Sequence, residues 1–462
     1  ILMDLVVNHC SDEHEWFQKA VQDPEGKYGN FFYIEDKKDD RIPCNWRSYF
    51  GGSVWEELPG HSDKQYLHLF HKKQPDLNWE NPEVREEVFK NIRWWMEKGL
   101  GGFRIDAIIN IKKKLPFQDY PADRSDGMCS VERMLEDADG IGEFLGEMAE
   151  KCFHPYDAFT VGEVFNEKED EICDFIGENG YFSSMFDFEE TCYGKSEDGW
   201  YASKYVLTPE DYKKCIFHTQ QKIGETGLIS NIIENHDEPR GVCHYILPED
   251  RCLDSKKLLA GVYFFLRGIP FIYQGQEIGM ENMDFTSMEQ IDDISTIDEY
   301  QVALNAGCTE KEALQAASAF SRDNARTPVQ WNTEKNAGFT TGTPWLGVNP
   351  DYKEINVESQ LTDNGSLLSF YKKMTALRKT QEYKDTFVYG SFKPYKEDQE
   401  NLIAYTRTEE KNILVMGNLQ SQPRNVELPG EVKNVLLNNQ EEVQIKNGAI
   451  SLDPYQFVIL EY

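Results

Sequence analysis

Three carboxylates stand directly after short apolar segments, and their type and position suit acid–base or nucleophilic chemistry. Asp106 follows Gly-Gly-Phe-Arg-Ile, Glu163 follows Thr-Val-Gly, and Asp237 follows Ile-Glu-Asn-His. A single acid at a strand end usually caps the next helix. Three acids that each follow an apolar strand indicate instead that several strand ends meet at one site.

Two chemistries use three carboxylates in this way. A divalent metal site needs hard oxygen ligands and little else. Cleavage of a glycosidic bond with retention of configuration needs a carboxylate nucleophile and a carboxylic acid about 5–5.5 Å apart. Arg104 lies two residues before Asp106 on the same strand face and would keep that acid ionised. His9 and His236 offer donors suited to sugar hydroxyls, so these residues favour glycoside cleavage over a metal-dependent lyase.

The elements that must position these acids are short β-rich apolar segments that end in polar residues. They are Ile1–Asn8, Gly102–Ile108, Phe159–Val164, Ser184–Phe188, Leu228–Asn235 and Gly268–Tyr273. Helix-like stretches separate most of them, and the clearest helix begins after Asn81 with Pro82 at its first position. This alternation predicts an α/β fold with a parallel sheet, and polar strand ends are typical of the catalytic mouth of a (β/α)8 TIM barrel.

Three domains are predicted. A closed barrel needs eight strands and six are visible, so we expect the first two to precede Ile1. About 70 residues between the first strand and the Asn81 helix are too many for a loop and predict an inserted subdomain after the third strand. Alternating segments near the C-terminus predict an antiparallel β-domain. The expected limits are residues 1–10 and 76–383 for the barrel, 11–75 for the insertion and 384–462 for the C-terminal domain.

Composition excludes several classes of protein. The sequence holds 48 Lys and Arg against 81 Asp and Glu, a net charge of −33, which disfavours binding to nucleic acid or to an anionic membrane surface. No run reaches the roughly 18 apolar residues of a membrane helix. The ten cysteines are scattered without a CxxC pair, as is typical of free thiols in a reducing compartment. We therefore expect a cytoplasmic protein, and a monomer.

Several segments together resemble the conserved motifs of a known family. Asp4–His9, Gly102–Asp106, Val161–Val164 and Glu234–Asp237 resemble, in order, the four conserved regions of the α-amylase family of glycoside hydrolases. Gln74–Pro82 is similar to the additional marker of its oligo-1,6-glucosidase branch, and Ser321–Trp331 to a motif of bacterial α-glucosidases. The likeness runs along the whole chain.

The resemblance implies a role for each matching residue. Asp106 matches the nucleophile, Glu163 the general acid/base, and Asp237 the third acid, which binds the sugar in the −1 subsite. The matches to sugar-contacting residues of that subsite are His9, Arg104, His236 and Arg322. Phe50 and Phe70 match aromatic residues of the inserted subdomain that form the wall of the pocket.

The resemblance also implies an activity. We expect a retaining exo-α-glucosidase that acts on short gluco-oligosaccharides such as isomaltose, with α-1,6 bonds favoured. Ala107 leaves bond preference open, because the family places Val there with α-1,6 and Thr with α-1,4 preference. The alternatives are an α-1,4-glucosidase, a dextran glucosidase, a trehalose-6-phosphate hydrolase, and a non-enzymatic domain associated with a transporter. No cofactor or catalytic metal is expected, and a structural calcium ion would need a loop that precedes Ile1.

Overall fold

The computed structural model describes residues 1–37, 41–124, 126–165, 171–186, 188–189 and 193–462. The chain divides into two compact units, Ile1–Phe186 and Asp187–Tyr462. This division rests on compactness alone and does not test the predicted domains. The three predicted domain limits, residues 1–10 with 76–383, 11–75 and 384–462, stay a prediction.

The first unit contains nine strands and five α-helices among its described residues. The strands are β1 Leu2–Val6, β2 Ile34–Asp36, β3 Trp46–Arg47, β4 Trp55–Leu58, β5 His61–Leu67, β6 Gly102–Asp106, β7 Cys129–Ser130, β8 Phe159–Gly162 and β9 Ser184–Met185. The helices are Glu15–Gln22, Pro82–Glu97, Glu132–Asp137, Ile141–Met148 and Ile172–Ile176.

A parallel sheet positions the predicted acids of this unit. Its strand order is β1-β6-β8-β9, and every pairing in it is parallel. The register places Val6 beside Asp106 and Ile105 beside Gly162. The C-terminal ends of β1, β6 and β8 therefore lie at one edge, and Glu163, the residue after β8, leaves the sheet next to the end of β6.

The helix Pro82–Glu97 connects the insertion to β6, and it forms as the sequence predicts. The Asn81 side chain accepts a hydrogen bond of 2.9 Å from the backbone N–H of Glu83, and Pro82 occupies the first turn, where its missing N–H costs nothing. Val84, Val88, Phe89, Ile92 and Met96 form its buried stripe. This apolar stripe anchors the helix in the first unit.

The segment between β1 and this helix, which the sequence predicts to be an insertion, contains a three-stranded sheet. Strands β2, β5 and β4 pair antiparallel in that order, and β3 pairs in parallel with β7. Trp46, Trp55 and Tyr33 lie in the buried core of this region. Large aromatic side chains thus give a short segment enough buried surface to hold a fixed shape.

The second unit consists mainly of helices followed by antiparallel strands. Its strands are β10 Ser230–Asn231, β11 Ile269–Pro270, β12 Ser391–Pro394, β13 Leu402–Thr408, β14 Asn412–Asn418, β15 Arg424–Glu427, β16 Asn434–Asn438, β17 Gln444–Lys446, β18 Ala449–Leu452 and β19 Phe457–Glu461. Its described helices are Pro209–Ile223, Gly241–His244, Leu253–Phe264, Ile294–Asn305, Glu310–Phe320, Asp323–Arg326, Val357–Leu361, Leu367–Lys379 and Lys384–Tyr389.

Strands β10 and β11 form a parallel pair in this unit, with Ser230 opposite Ile269. Each of the six apolar segments singled out in the sequence therefore contains a parallel strand. The strands are shorter than the segments because hydrogen-bonded pairing stops before the apolar run does. In Leu228–Asn235, for example, only Ser230 and Asn231 pair, and the following residues lead into the loop that carries Asp237.

The C-terminal strands form two antiparallel sheets. One has the order β12-β13-β14-β19-β16, and the other has the order β15-β18-β17. Alternation along β13 sends Leu402 into a core shared with Ile450 of the smaller sheet, and sends Ile403 into a core shared with Leu259 of the helix Leu253–Phe264. The predicted antiparallel β-domain is confirmed. No helix among the described residues has the length and apolarity to cross a membrane.

Gly102 at the start of β6 allows a test of the parallel sheet. Its φ is +146°, and a Cβ placed there would lie 1.8 Å from the backbone O of Phe159 in β8. We expect Gly102→Ala to lower the free energy of unfolding by about 1–3 kcal/mol, because a backbone atom must move. Urea denaturation measures the change.

Gly146→Ala is the matched control. Gly146 lies inside the helix Ile141–Met148, and a Cβ there would meet only Tyr181, at an ordinary 3.7 Å. This variant should be neutral or more stable by up to about 1 kcal/mol, because Ala favours a helix. Equal changes in the two variants would contradict the proposed backbone clash.

Candidate active site

Arg104 joins the two predicted catalytic acids of the first unit. Its Nη1 lies 2.6 Å from Asp106 Oδ1 and 2.9 Å from Asp4 Oδ1, and its Nη2 lies 2.7 Å from Glu163 Oε1. The register explains the arrangement, since Asp4 of β1 lies opposite Arg104 and residues 104 and 106 point to the same face of β6. One guanidinium therefore contacts a carboxylate from within β1, one at the end of β6 and one directly after β8.

The second oxygen of Glu163 binds the backbone. Glu163 Oε2 accepts a hydrogen bond of 2.7 Å from the N–H of Ala107, and the N–H of Glu163 donates to the carbonyl of Ile105 at 3.0 Å. Ala107 has a left-handed backbone with φ +44°, a conformation rare outside glycine. Such strain commonly accompanies functional sites. Here the residue after Asp106 holds the Glu163 carboxylate.

Burial and charge oppose each other at Arg104. Burial disfavours its positive charge, but the carboxylates of Glu163, Asp4 and Asp106 outweigh that effect and raise the pKa of Arg104 above its ordinary value. The guanidinium is therefore a permanent cation in the site. Its charge attracts each carboxylate that it contacts.

His9 follows β1 and packs against the aromatic side chains of the insertion. Its Nε2 lies 2.8 Å from the Gln74 amide nitrogen, and its ring centroid lies 5.2 Å from that of Phe70. Phe70 stacks on Tyr49 at 4.8 Å and meets Phe50 at 6.0 Å. The predicted residues His9, Phe50 and Phe70 thus lie in one aromatic cluster.

Burial disfavours the charged form of His9. Burial lowers the pKa of His9 below its ordinary value, although the charges of Asp76 and Asp106 act in the opposite direction. A neutral imidazole can donate one hydrogen bond and accept another. Tyr49, which the sequence did not single out, belongs to the same cluster, and its hydroxyl donates to Asn110 Oδ1 at 3.1 Å.

A buried ion pair supports the loop that carries His9. Lys113 Nζ lies 2.6 Å from Asp76 Oδ2 and 2.7 Å from Asn8 Oδ1, and the Lys113 and Asp76 side chains are fully buried. Asn8 Nδ2 in turn donates to Asp76 Oδ2 at 3.1 Å. Within the sequence, Lys113 is the middle residue of three consecutive lysines, a pattern more typical of a solvated surface. Only its burial reveals its role.

The second unit surrounds Asp237 with cations. Asp237 Oδ1 lies 2.5 Å from Arg326 Nη2 and 3.3 Å from Arg322 Nη1, and Oδ2 lies 3.2 Å from His236 Nε2. Burial alone would raise the pKa of Asp237. The hydrogen bond from His236 and the charges of His236, Arg322 and Arg326 outweigh burial and hold the pKa of Asp237 well below its ordinary value. Asp237 is therefore an ionised acceptor at neutral pH.

Further buried groups hold these cations in place. Arg322 Nε and Nη2 lie 2.8 and 2.5 Å from Asp293 Oδ1, and Arg326 Nε donates to the carbonyl of His236 at 2.8 Å. Asp293 also caps the helix Ile294–Asn305. The sequence pointed to Arg322 but missed Arg326, although both stand in Ser321–Trp331, four residues apart. Their spacing on one helical turn was the signal that could have revealed the second arginine.

The structure thus brings the predicted residues together within each unit. Asp106, Glu163 and Arg104 are in direct contact in the first unit. Asp237, with His236 and Arg322, forms a second contact group in the other. The roles assigned to these residues stay predictions.

Metal ligation has little support in the described parts of the chain. No group of three or more His, Cys, Asp or Glu side chains there is arranged to hold an ion. The nine cysteines that the structure describes are not joined in disulfides, and Cys192 lies outside the described residues. The oxygen atoms of Asn8 and Asp76 already bind the ammonium group of Lys113.

The buried pair makes a prediction about stability. We expect Lys113→Met to lower the free energy of unfolding by about 3–5 kcal/mol, because it leaves Asp76 buried without its cation. Lys114→Met is the control, since Lys114 lies 3.7 Å from Asp137 at the surface and should lose at most about 1 kcal/mol. Urea denaturation compares the variants. Equal losses in the two variants would show that the Lys113–Asp76 pair does not contribute to the free energy of unfolding.

Arg326 makes a prediction about pH dependence. Arg326→Gln removes a cation that lowers the pKa of Asp237, so this pKa should rise and Asp237 should protonate at higher pH. The carboxyl 13C NMR signal of Asp237, followed as the pH is lowered, should show protonation at higher pH in Arg326→Gln than in the wild type. Arg326→Lys keeps a positive charge and should move this titration less. An unmoved titration in Arg326→Gln would contradict this electrostatic role.

Comparison with known proteins places the chain in a family. Residues 1–390 match the alpha amylase catalytic domain, and residues 402–459 match the alpha-amylase SusG C-terminal domain. An oligo-1,6-glucosidase of Halalkalibacterium halodurans is 37% identical over 470 residues, which cover 99% of this chain and 82% of that relative.

Solved structures agree. The crystal structure of a trehalose-6-phosphate hydrolase from Bacillus licheniformis matches with a TM-score of 0.88 and 35% identity, over 100% of this chain and 83% of the other. Isomaltulose synthase from Klebsiella sp. LX3 matches with a TM-score of 0.91 and 33% identity, over 100% and 83%. The fold and the match to the alpha amylase catalytic domain define a TIM-barrel glycoside hydrolase. The chain belongs to the α-amylase family, as its motifs predicted.

Proposed function

We propose that this chain is a retaining exo-α-glucosidase that hydrolyses terminal α-glucosidic bonds of short gluco-oligosaccharides, with Asp106 as nucleophile and Glu163 as general acid/base. α-Glucosidase activity on oligosaccharides agrees with the names of its relatives, among them an oligo-1,6-glucosidase. The observation that carries the assignment of residues is the contact of Asp106 and Glu163 with one guanidinium, that of Arg104. This sharing favours the short carboxyl separation of retaining enzymes, about 5–5.5 Å, over the about 6.5–9.5 Å of inverting ones.

The environments of the two acids suit a double displacement. Arg104 stabilises the ionised Asp106, whose oxygen attacks the anomeric carbon while Glu163 donates a proton to the leaving glycosidic oxygen. A glycosyl-enzyme ester on Asp106 results. Glu163, now a carboxylate, then takes a proton from water as the water attacks the same carbon, and α-glucose leaves with Asp106 restored.

Glu163 must change its partners during this cycle. Its two oxygens contact the Arg104 guanidinium and the Ala107 N–H, and both donors favour the ionised form. Donation to a glycosidic oxygen requires a proton on one of them. Binding of the sugar therefore replaces at least one of these contacts, which couples the protonation of Glu163 to occupation of the site.

Asp237 and its cations fit the binding of sugar hydroxyls. The ionised carboxylate can accept hydrogen bonds from two hydroxyl groups, and His236 and Arg322 can donate to hydroxyl oxygens. Negative charge near the anomeric centre also stabilises an oxocarbenium-like transition state. These properties support the role of third acid for Asp237.

The proposal also covers bond preference and cellular location. The names of the oligo-1,6-glucosidase relatives support α-1,6 bonds, while Ala107 favours neither α-1,6 nor α-1,4. The retained acids argue against a non-enzymatic domain. The chemistry proposed here uses side chains alone and requires no cofactor. The described cysteines form no disulfide, as is usual in a reducing, cytoplasmic setting, and we propose that the chain is a monomer.

Two substitutions test the division of roles. Asp106→Asn and Glu163→Gln should each reduce turnover of isomaltose by at least about 10²–10⁴-fold while the melting temperature stays near that of the wild type. An aryl α-glucoside with a good leaving group needs no proton from Glu163, so Glu163→Gln should recover part of the glycosylation rate and Asp106→Asn should not. Equal recovery in both variants would exclude this assignment.

The stereochemistry of the product is a direct control for the mechanism. NMR of the wild type during early turnover should show α-glucose before mutarotation, because two displacements at one carbon restore its configuration. β-Glucose as the first product would mean a single displacement by water.

A further inference from the structure

Trp345 is unusual among the aromatic residues of the second unit. It exposes 66% of its surface, more than any other aromatic side chain among the described residues, and Trp331 and Phe339 of the same chain segment each expose 50%. Large aromatic side chains usually bury most of their area, and exposed apolar surface can serve as a binding site. The exposure of Trp345 therefore needs an explanation.

The indole of Trp345 is held in place although it is exposed. Its Nε1 donates a hydrogen bond of 2.7 Å to Asp292 Oδ2. The next residue, Leu346, is buried, and Asn349 Nδ2 donates to the carbonyls of Glu281 and Asn282 at 3.1 and 3.2 Å. A ring that is oriented in advance and faces solvent loses little entropy when a ligand covers it.

Contacts within the second unit connect this ring to Asp237. The backbone N–H groups of Asp292 and Asp293 both donate to Asp323 Oδ2, at 2.7 and 3.1 Å. Asp293 in turn binds Arg322, and Arg322 binds Asp237. The residue that orients the indole is thus the chain neighbour of the residue that holds the sugar-contacting Arg322.

We propose that Trp345 is a platform for a glucosyl unit of the leaving group, beyond the first unit after the cleaved bond. This inference rests on the proposed α-glucosidase function. The C–H faces of a pyranose ring are apolar and stack on the face of an indole, whereas its edges keep their hydroxyl groups in water. Contacts and chain neighbours link Asp237 to the indole through Arg322, Asp293 and Asp292, so the ring's hydrogen-bond acceptor is not one of the acid's own partners, which suits a contact past the first leaving-group unit.

The chemistry of this surface favours a neutral sugar. The side chain acceptor next to the indole is Asp292, and Asp293 is committed to Arg322. An aromatic ring beside carboxylates would repel an anionic ligand. The platform should therefore contribute to recognition of longer oligosaccharides and leave the chemical step unchanged.

The experiment compares isomaltose, isomaltotriose and isomaltotetraose as substrates of the full chain. Trp345→Ala should raise KM for the tri- and tetrasaccharide by about three- to tenfold, with kcat and the KM for isomaltose unchanged. Trp345→Phe should recover most of the loss, because it keeps an aromatic face. Asp292→Ala should give a smaller rise of the same kind, since it frees the indole.

Tyr389→Ala is the matched control, because Tyr389 is 62% exposed and ends the helix Lys384–Tyr389. It should alter no KM value. Equal effects of Trp345→Ala on the KM for isomaltose and isomaltotriose, or no effect on either KM, would overturn the platform. In that case an active wild type would still support the α-glucosidase. A wild type that hydrolyses none of the three sugars, nor maltose, would overturn the proposed function itself.

Discussion

The guanidinium of Arg104 is the interaction on which the site of the first unit depends. It meets Asp4 at one strand, Asp106 on its own strand, and Glu163 at the next. Without a cation between them, three carboxylates at such short distances from one another would repel. The parallel register of β1, β6 and β8 brings these acids side by side. The positive charge of Arg104 offsets this repulsion.

Local neutralisation of charge recurs in a chain whose net charge is −33. Lys113 neutralises Asp76 in the interior, and Arg322 and Arg326 do the same for Asp237. Removing a charged group from water is costly unless an opposite charge and hydrogen bonds replace the water. Asp76 and Asp237 are therefore found where cations and hydrogen bonds replace the water.

Arg104 and Arg322 differ in what they do to their acids. Arg104 joins the proposed nucleophile, Asp106, to the proposed proton donor, Glu163, so its contact with Glu163 must change during turnover. Arg322 is clamped by Asp293, which caps a helix, and so it presents a fixed charge to Asp237. A rigid set of donors suits the binding of hydroxyl groups, and a shared donor suits the transfer of a proton.

Much of the fold was readable from local patterns. Apolar runs that end in polar residues located the six parallel strands, and Asn81 with Pro82 located the start of a helix, because both signals act within a few residues. The strand ends were placed too far along, as in Leu228–Asn235, since pairing depends on the neighbouring strand as well as on apolar character. The motifs also located Asp106, Glu163 and Asp237, which the structure places beside cations.

The sequence by itself determined the family, the kind of fold and the residues that could do chemistry, because these follow from residue type and spacing along the chain. Only the tertiary structure decided their partners. Lys113 and Asn8 are 105 residues apart, and Arg326 and Asp237 are 89 apart, so no local pattern could pair them. Packing buries Lys113 beside Asp76, where it is an internal cation, and leaves Trp345 exposed as a candidate platform. Packing decides which side chains contact solvent, and packing cannot be read from the order of residues alone.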